Sequence, residues 1–385
     1  MSATVPQTET KNPTKSKCEA VKRIVTGASL LMYMSFAIYG GPPLIIFNAV
    51  FLQIKCSNEV IRTAYSAKRI PNIRHFEKLN WYFVIFANYF FCGETISHHF
   101  EAYMNKYSLL RILVAYHRFF ALFWYAAGIF WFLILLRKKA IRDQFTLIVW
   151  MHFLLLGISL QAFMTVENMF QGLIWVLLPL CLVILNDVSA YFFGKLFGKT
   201  PLISLSPKKT LEGFIYGGIS TVVLGAVISY LFCQVQYFIC PIKYIEVDGV
   251  VKMSTDCTPS QLFTPKEYIF MGLTWNLYPF VLHSIPLSCF ASLIAPFGGF
   301  CASGFKRACK VKNFGELLPG HGGFMDRLDC QFLMSTFVNV YIGTFVKSYD
   351  VDMIYKKILQ LSDKEQLEFY NLLEKHLTSA AISGK

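Results

Sequence analysis

The feature that most limits this chain is a succession of apolar runs, each near the roughly 20 residues a helix needs to cross a bilayer. They fall at 24–54, 79–96, 119–136, 145–166, 170–193, 213–232, 281–300 and 328–346. The first is too long for one straight span. Gly40, Gly41, Pro42 and Pro43 interrupt it, so it reads as two helices with a tight connection. The pattern predicts an all-α, polytopic integral membrane protein with about nine transmembrane helices. Composition agrees, because 55% of the 385 residues are hydrophobic and only 15% are charged, against roughly 25% charged in soluble proteins. Water-soluble cores lack the volume to hide that much apolar surface.

The formal net charge is +13. In so apolar a chain this points to the lipid bilayer and to cytoplasmic loops, not to nucleic acid. Basic residues gather in the amino-terminal tail and at 55–78, 137–142, 195–209 and 306–312. The helix count puts all of these on one face, which is assigned to the cytosol. Lys106, Arg111, His117 and Arg118 dissent and fall on the far side. The loop 234–280 lies opposite the basic face and carries Glu246, Asp248, Asp256 and Glu267. A lumenal compartment is oxidising, so Cys240 and Cys257 in that loop are expected to form a disulfide. The remaining cysteines show no C-x-x-C pair and no zinc spacing, and most sit in apolar runs as small hydrophobes. The organisation is then a disordered basic cytosolic tail (1–23), amino-terminal transmembrane helices (24–166), a second helical region (167–346) and a mixed-charge helical tail (347–385). Ser362 with Glu365 is a capping box for that tail's helix, which puts Leu367, Leu372 and Leu373 to one side.

The densest chemical signal is 303–329. It opens with Lys306, Arg307, Lys310 and Lys312, enough positive charge to hold a polyphosphate. Gly320, His321, Gly322 and Gly323 follow, and glycines let backbone N–H groups approach phosphate closely. Asp326 and Asp329 then stand three residues apart, on one helical face at the mouth of a span. Hard oxygen ligands beside a phosphate site suit Mg²⁺. Read blandly, the lysines meet lipid head groups and Asp326 with Arg327 is a surface pair. A second constellation joins Asn186 and Asp187, inside an apolar span, to Ser206, Lys208, Lys209 and Glu212. An ionisable group at such depth is costly and marks function by default, though a structural hydrogen bond is the plainer account of Asp187. Glu94, near a span end, reads as structural. The Gly194–Thr200 stretch ends like a phosphate-binding Walker loop, but its spacing is one residue short and it follows an apolar helix instead of a strand. His98, His99 and Glu101 lack a second ligand cluster.

The ending His321-Gly322-Gly323, two residues, Asp326-Arg327, one residue, Asp329 resembles the signature of phosphatidate cytidylyltransferases, also called CDP-diacylglycerol synthases. Ser206 to Gly213 is similar to that family's lysine motif, and Asn186-Asp187 to its intramembrane acid. The stretch 88–95 and the pair His117-Arg118 resemble the eukaryotic branch. Asn313 stands where the family usually has Asp, and Leu211 where it usually has Trp. The resemblance implies transfer of a cytidylyl group from CTP to phosphatidic acid at the endoplasmic reticulum membrane, with the site facing the cytosol. It implies Asp326, Asp329 and Asp187 as ligands of Mg²⁺, and Lys306, Arg307 and His321 as further catalytic groups. Ser206, Lys208, Lys209, Glu212, Gly322, Gly323 and Arg327 are then the substrate-binding positions. A CTP-dependent lipid kinase would need similar charges, and a transporter would need broken helices in matching halves. The oligomeric state stays open, a homodimer included.

Overall fold

The computed structural model describes residues 25–29, 32–66, 73–100, 107–203, 209–247, 250–254, 257–270, 272–317, 322–346, 354–355, 358–359 and 361–383. The tail 1–23 lies outside these residues. The chain divides into two compact units, Met1–Asn339 and Val340–Lys385.

Helical residues 25–29 and 32–39 stop at Gly40, and Gly41 turns the chain with φ 76° before Pro42 opens α1 (Pro42–Ser66). α1 does not stop at 54 but continues to Ser66, into the basic stretch. There follow α2 (Ile73–His99), α3 (Ser108–Ala115), α4 (His117–Leu135) and α5 (Ile141–Leu154). A π turn, Leu155–Ser159, couples α5 to α6 (Leu160–Phe170). α7 (Ile174–Phe197) and α8 (Leu211–Cys233) come next, then the short α9 (Gln236–Ile239). The chain finishes its helical core with α10 (Pro279–Leu293), α11 (Pro296–Ala308) and α12 (Met325–Tyr341).

Among the described residues 6 helical stretches are long and apolar enough to cross a membrane. They are Pro42–Tyr65, His117–Leu135, Ile141–Phe170, Ile174–Phe197, Leu211–Cys233 and Pro279–Ala308. The expected set of about nine is thus met in kind and not in number. Three other stretches fall short. The first helix is short, α2 carries Arg74, Glu77, Lys78 and Glu94, and α12 has Asp326, Arg327 and Asp329 in its first turns.

Helices α7, α8 and α10 pack through small residues. A Cβ on Gly217 would come within 2.9 Å of the Ala190 backbone, and one on Gly225 within 2.5 Å of Ser288 Oγ. Such residues let backbones approach where the surrounding lipid supplies no hydrophobic drive. Ser229 Oγ donates to Ser284 Oγ at 3.0 Å across the same seam. α12 is tied in by polar stitches: Asn168 Nδ2 donates to Ser335 O at 2.9 Å, and Gln331 Nε2 to Leu180 O at 3.2 Å. Beneath its start lies an apolar cluster of Cys56, Val60, Ile158, Ala302 and Phe314, against which Phe324, Met325 and Leu328 pack.

The loop 234–280 holds structure that its polarity concealed. Two antiparallel hairpins form there, β1 (Lys243–Val247) with β2 (Val250–Ser254) and β3 (Lys266–Phe270) with β4 (Leu273–Leu277). Tyr, Ile, Val, Phe and Trp in these short runs favour a pleated surface. Cys240 and Cys257 are joined by a disulfide. α8 begins beside the residues of the lysine motif and ends at this loop, so the loop and the site lie at opposite ends of α8. In the second unit a helix, α13 (Asp363–Ser383), starts after Ser362 as the capping box predicts. Ser362 donates its N–H (2.9 Å) and Oγ–H (2.7 Å) to Glu365 Oε2. These bonds hold the Glu365 carboxyl below its ordinary value. Leu367, Leu372 and Leu373 are exposed.

The α7–α8 seam yields a direct test. Gly217→Val should cost about 1–3 kcal/mol by overpacking and lower the melting temperature in detergent. Gly157→Ala, at a position with nothing within 4 Å, should melt like the unaltered protein.

Candidate active site

The end of α11 presents the basic cluster. Val311 N–H donates to Lys306 O (2.9 Å) and Lys310 N–H to Arg307 O (3.0 Å), while Lys310 takes φ 58°. This is the Schellman arrangement that ends helices, with lysine at the place glycine usually holds. Arg307 is exposed and directs Nη1 at Val311 O, 3.4 Å away, so it closes the helix end. Lys306 points inward, with its Nζ 5.4 Å from the centroid of the Phe314 ring.

Asp326, in the first turn of α12, is the acceptor around which the intervening loop is built. Its Oδ1 takes Lys306 Nζ at 2.6 Å, and its Oδ2 takes the N–H groups of Phe314 (3.1 Å) and Gly323 (3.0 Å). The two side chains are only 12% and 6% exposed. Gly322 adopts φ 86°, and a Cβ there would stand 2.9 Å from Asp326 Oδ2 and 3.5 Å from Asn313 Cγ. Asn313 therefore faces the glycine turn. Ser206, Lys208 and His321 lie outside the described residues.

Asp329, one turn further along α12, has a different situation. Its Oδ1 accepts from Cys330 N–H at 2.8 Å, while Oδ2 faces Gly299 of α11, where a Cβ would sit 3.5 Å away. The Gly298-Gly299 pair lets α11 pass against the α12 backbone, and a Cβ on Gly298 would meet Asp329 O at 2.3 Å. Asp187 of α7 lies within electrostatic range of Asp329, Lys209 and Arg327, and Asp329 within range of Lys306. The Asp187 carboxylate makes no hydrogen bond with another described residue. Lys209 Nζ stands 5.1 Å from the centroid of Phe300. The fold thus gathers Asp187, Lys209, Lys306, Asp326, Arg327 and Asp329 from four segments.

Glu212 is used otherwise. Its carboxylate accepts from Lys199 N–H (3.0 Å), from Thr200 N–H (3.1 Å) and from Thr200 Oγ1–H (2.8 Å). Leu202 N–H to Lys209 O and Leu211 N–H to Thr200 O, at 2.8 and 3.0 Å, close the same loop. Thr210 caps α8 by accepting from Gly213 N–H. Glu212 therefore shapes the segment that presents Lys209.

Reading the sequence missed Glu59 of α1. It is 5% exposed, and its two oxygens accept from Phe324 N–H (3.0 Å) and Met325 N–H (2.9 Å) at the start of α12. An acid on the buried face that Cys56, Val60 and Thr63 share was the available signal.

Among the described residues no three His, Cys, Asp or Glu side chains converge as a complete metal cage. A pair of carboxylates is nevertheless enough for Mg²⁺, which keeps waters and takes substrate phosphates as its other ligands. Asp187 and Asp329 Oδ2 fit that need. Asp326 Oδ2 is filled by two amides, which leaves Oδ1 beside Lys306.

Apolar helices of spanning length, with buried carboxylates and lysines among them, define an all-α membrane protein. The chain belongs to the cytidylyltransferase family, whose pattern matches residues 21–345. It is 43% identical over 370 residues to phosphatidate cytidylyltransferase 2 of Mus musculus, covering 94% of this chain and 83% of the relative. Phosphatidate cytidylyltransferase 1 of the same organism is 44% identical over 354 residues, 90% and 76% of the two chains. The Caenorhabditis elegans phosphatidate cytidylyltransferase is 41% identical over 365 residues, 92% and 77%.

The Lys306–Asp326 contact is open to a double-mutant cycle. Asp326→Asn keeps an acceptor for the amides but strands a half-buried ammonium, so it should destabilise by about 3 kcal/mol. Adding Lys306→Met should recover part of the loss, with a coupling above about 1 kcal/mol in thermal melts.

Proposed function

We propose that this protein is a phosphatidate cytidylyltransferase that forms CDP-diacylglycerol and pyrophosphate from phosphatidic acid and CTP. What carries the reading is the convergence of Asp187, Asp329 and Lys209 on a loop anchored by Lys306 and Asp326, in a chain of this family. A phosphate oxygen of phosphatidic acid attacks the α-phosphorus of CTP. A new P–O bond forms, the bond from the α-phosphorus to the bridging oxygen breaks, and pyrophosphate leaves with that electron pair. The lipid phosphate is itself the nucleophile, so the protein's work is positioning and charge neutralisation. Lys306 keeps two N–H donors beyond Asp326 for phosphate oxygens, and Lys209, held by the loop that Glu212 shapes, supplies a second ammonium. Lys208, Ser206 and His321 complete the substrate contacts in this reading, Gly322 and Gly323 shape the turn between the lysines and α12, and Arg327 balances Asp187.

Mg²⁺ would be held by Asp187 and Asp329, with Asp326 Oδ1 the remaining carboxylate oxygen nearby. Bound there, the ion would neutralise charge on the CTP phosphates.

Nine crossings follow if the helix before Gly40, α2 and α12 also span. The site then faces the cytosol of an endoplasmic reticulum membrane, and the disulfide-bearing hairpin loop faces the oxidising lumen.

The deciding experiment incubates purified protein with phosphatidic acid, Mg²⁺ and CTP labelled in the α-phosphate. Label in CDP-diacylglycerol is expected. A lipid kinase would instead leave the label in free CDP and move the terminal phosphate to lipid. Asp187→Asn and Asp329→Asn should each lower turnover about a thousandfold, which is about 4 kcal/mol of transition-state stabilisation. Near-normal turnover with unchanged Mg²⁺ dependence would remove both from the site. Topology is checked separately with cysteines at Lys199 and Lys310 in sealed microsomes. An impermeant reagent should reach both from the same side, and labelling from opposite sides would break the single-site arrangement.

A further inference from the structure

Glu59 is a buried acid on the first long helix, far in sequence from Asp187, Lys209 and the run from Lys306 to Asp329. Its two contacts, with the N–H groups of Phe324 and Met325, span 265 and 266 residues of sequence. Those N–H groups are among the four donors that every helix start leaves without an intrahelical partner. A carboxylate there is also favoured by the helix dipole. The surrounding chain is cut to fit it. A Cβ on Gly323 would lie 2.4 Å from Glu59 Oε2, and one on Gly315 would lie 2.8 Å from Oε1. Gly323 thus makes room for a protein carboxylate as well as bending the chain. Asp326, in the first turn of α12, receives its own bond from Gly323 N–H. The segment from Gly322 to Asp329 is consequently pinned from two sides, by Asp326 from within and by Glu59 from α1.

We propose that Glu59 is a positioning residue for the reaction. Its carboxylate occupies the start of α12 in place of a substrate phosphate and sets where Asp326 and Asp329 stand. This rests on the cytidylyltransferase reading for its kinetic consequence, though not for its structural one. Glycines before a helix ordinarily suggest that phosphate binds the helix N-terminus. Here that position is filled by the chain itself, which leaves the phosphates to Lys306, Lys209 and their neighbours.

The test uses the full-length protein with Glu59→Gln, Glu59→Asp and Gly323→Ala. Gln offers one acceptor oxygen where Glu offers two, and turns an NH₂ towards an N–H. Hydrogen exchange of the Phe324 and Met325 amides should quicken about tenfold or more in Glu59→Gln. Turnover per folded molecule should fall about tenfold, with KM for CTP within about twofold and a higher Mg²⁺ requirement. Glu59→Asp should recover part of the turnover. Gly323→Ala, which drives the carboxylate away without altering it, should reproduce the signature and serves if Glu59→Gln fails to fold. Unchanged exchange at both amides, or full turnover per folded molecule with only a lower melting temperature, would overturn the proposal. If the unaltered protein makes no CDP-diacylglycerol, the proposed reaction fails, and the exchange measurement still decides whether Glu59 holds α12.

Discussion

The bond between Lys306 Nζ and Asp326 Oδ1, at 2.6 Å, joins the end of α11 to the start of α12. It does more than pair two charges. Between those residues the chain leaves helix, passes Phe314 and returns through Gly322 and Gly323, and both ends of that excursion donate to the other oxygen of Asp326. A buried backbone that is neither helix nor sheet still needs partners for its N–H groups. One carboxylate satisfies two of its amides and balances the ammonium that faces it. Remove that acceptor and the loop, the lysine and the first turn of α12 lose their common reference.

Carboxylates near the site divide by what already surrounds them. Asp326, Glu59 and Glu212 each accept at least two N–H groups and are consumed in holding loops. Asp329 keeps one oxygen turned towards Gly299, and Asp187 bonds to no other described residue. Acids with filled lone pairs set geometry, and acids with open ones are available to a cation or a substrate. Lys209 and Lys306 are placed likewise, each beside an aromatic ring that supports the cation without neutralising it.

Much of this was legible in the chain. Apolar runs located the helices, because lipid-facing helices must be apolar around most of their surface. The Gly-Gly-Pro-Pro break fell where Gly41 turns the chain, and the cysteines of the polar loop proved to be bonded. The run from Lys306 to Asp329 contains the two side chains, Lys306 and Asp326, that the fold joins. Spacing could not reveal which of two acids three residues apart is taken by local donors, since that depends on Phe314 and Gly323 folding back. Glu59 is hard to see in the sequence because the apolar run stops at 54 while the helix continues to Ser66. Lys55, Arg62 and Lys68 masked a buried face of Cys56, Glu59, Val60 and Thr63. The hairpins escaped because strands of five residues leave little periodic signal beside charged neighbours.

The distance along the chain between Glu59 and its donors bears on how the protein is made. α1 emerges early in synthesis, and the amides its carboxylate accepts from appear 265 residues later. During that interval nearly every helix of the fold is inserted while an acid waits without its final partners. Either water or another part of the machinery must solvate it meanwhile, and α12 cannot be late without prolonging the exposure. Truncated or stalled chains ending before α12 therefore keep a carboxylate near the end of α1 without the two amides that donate to it in the finished fold.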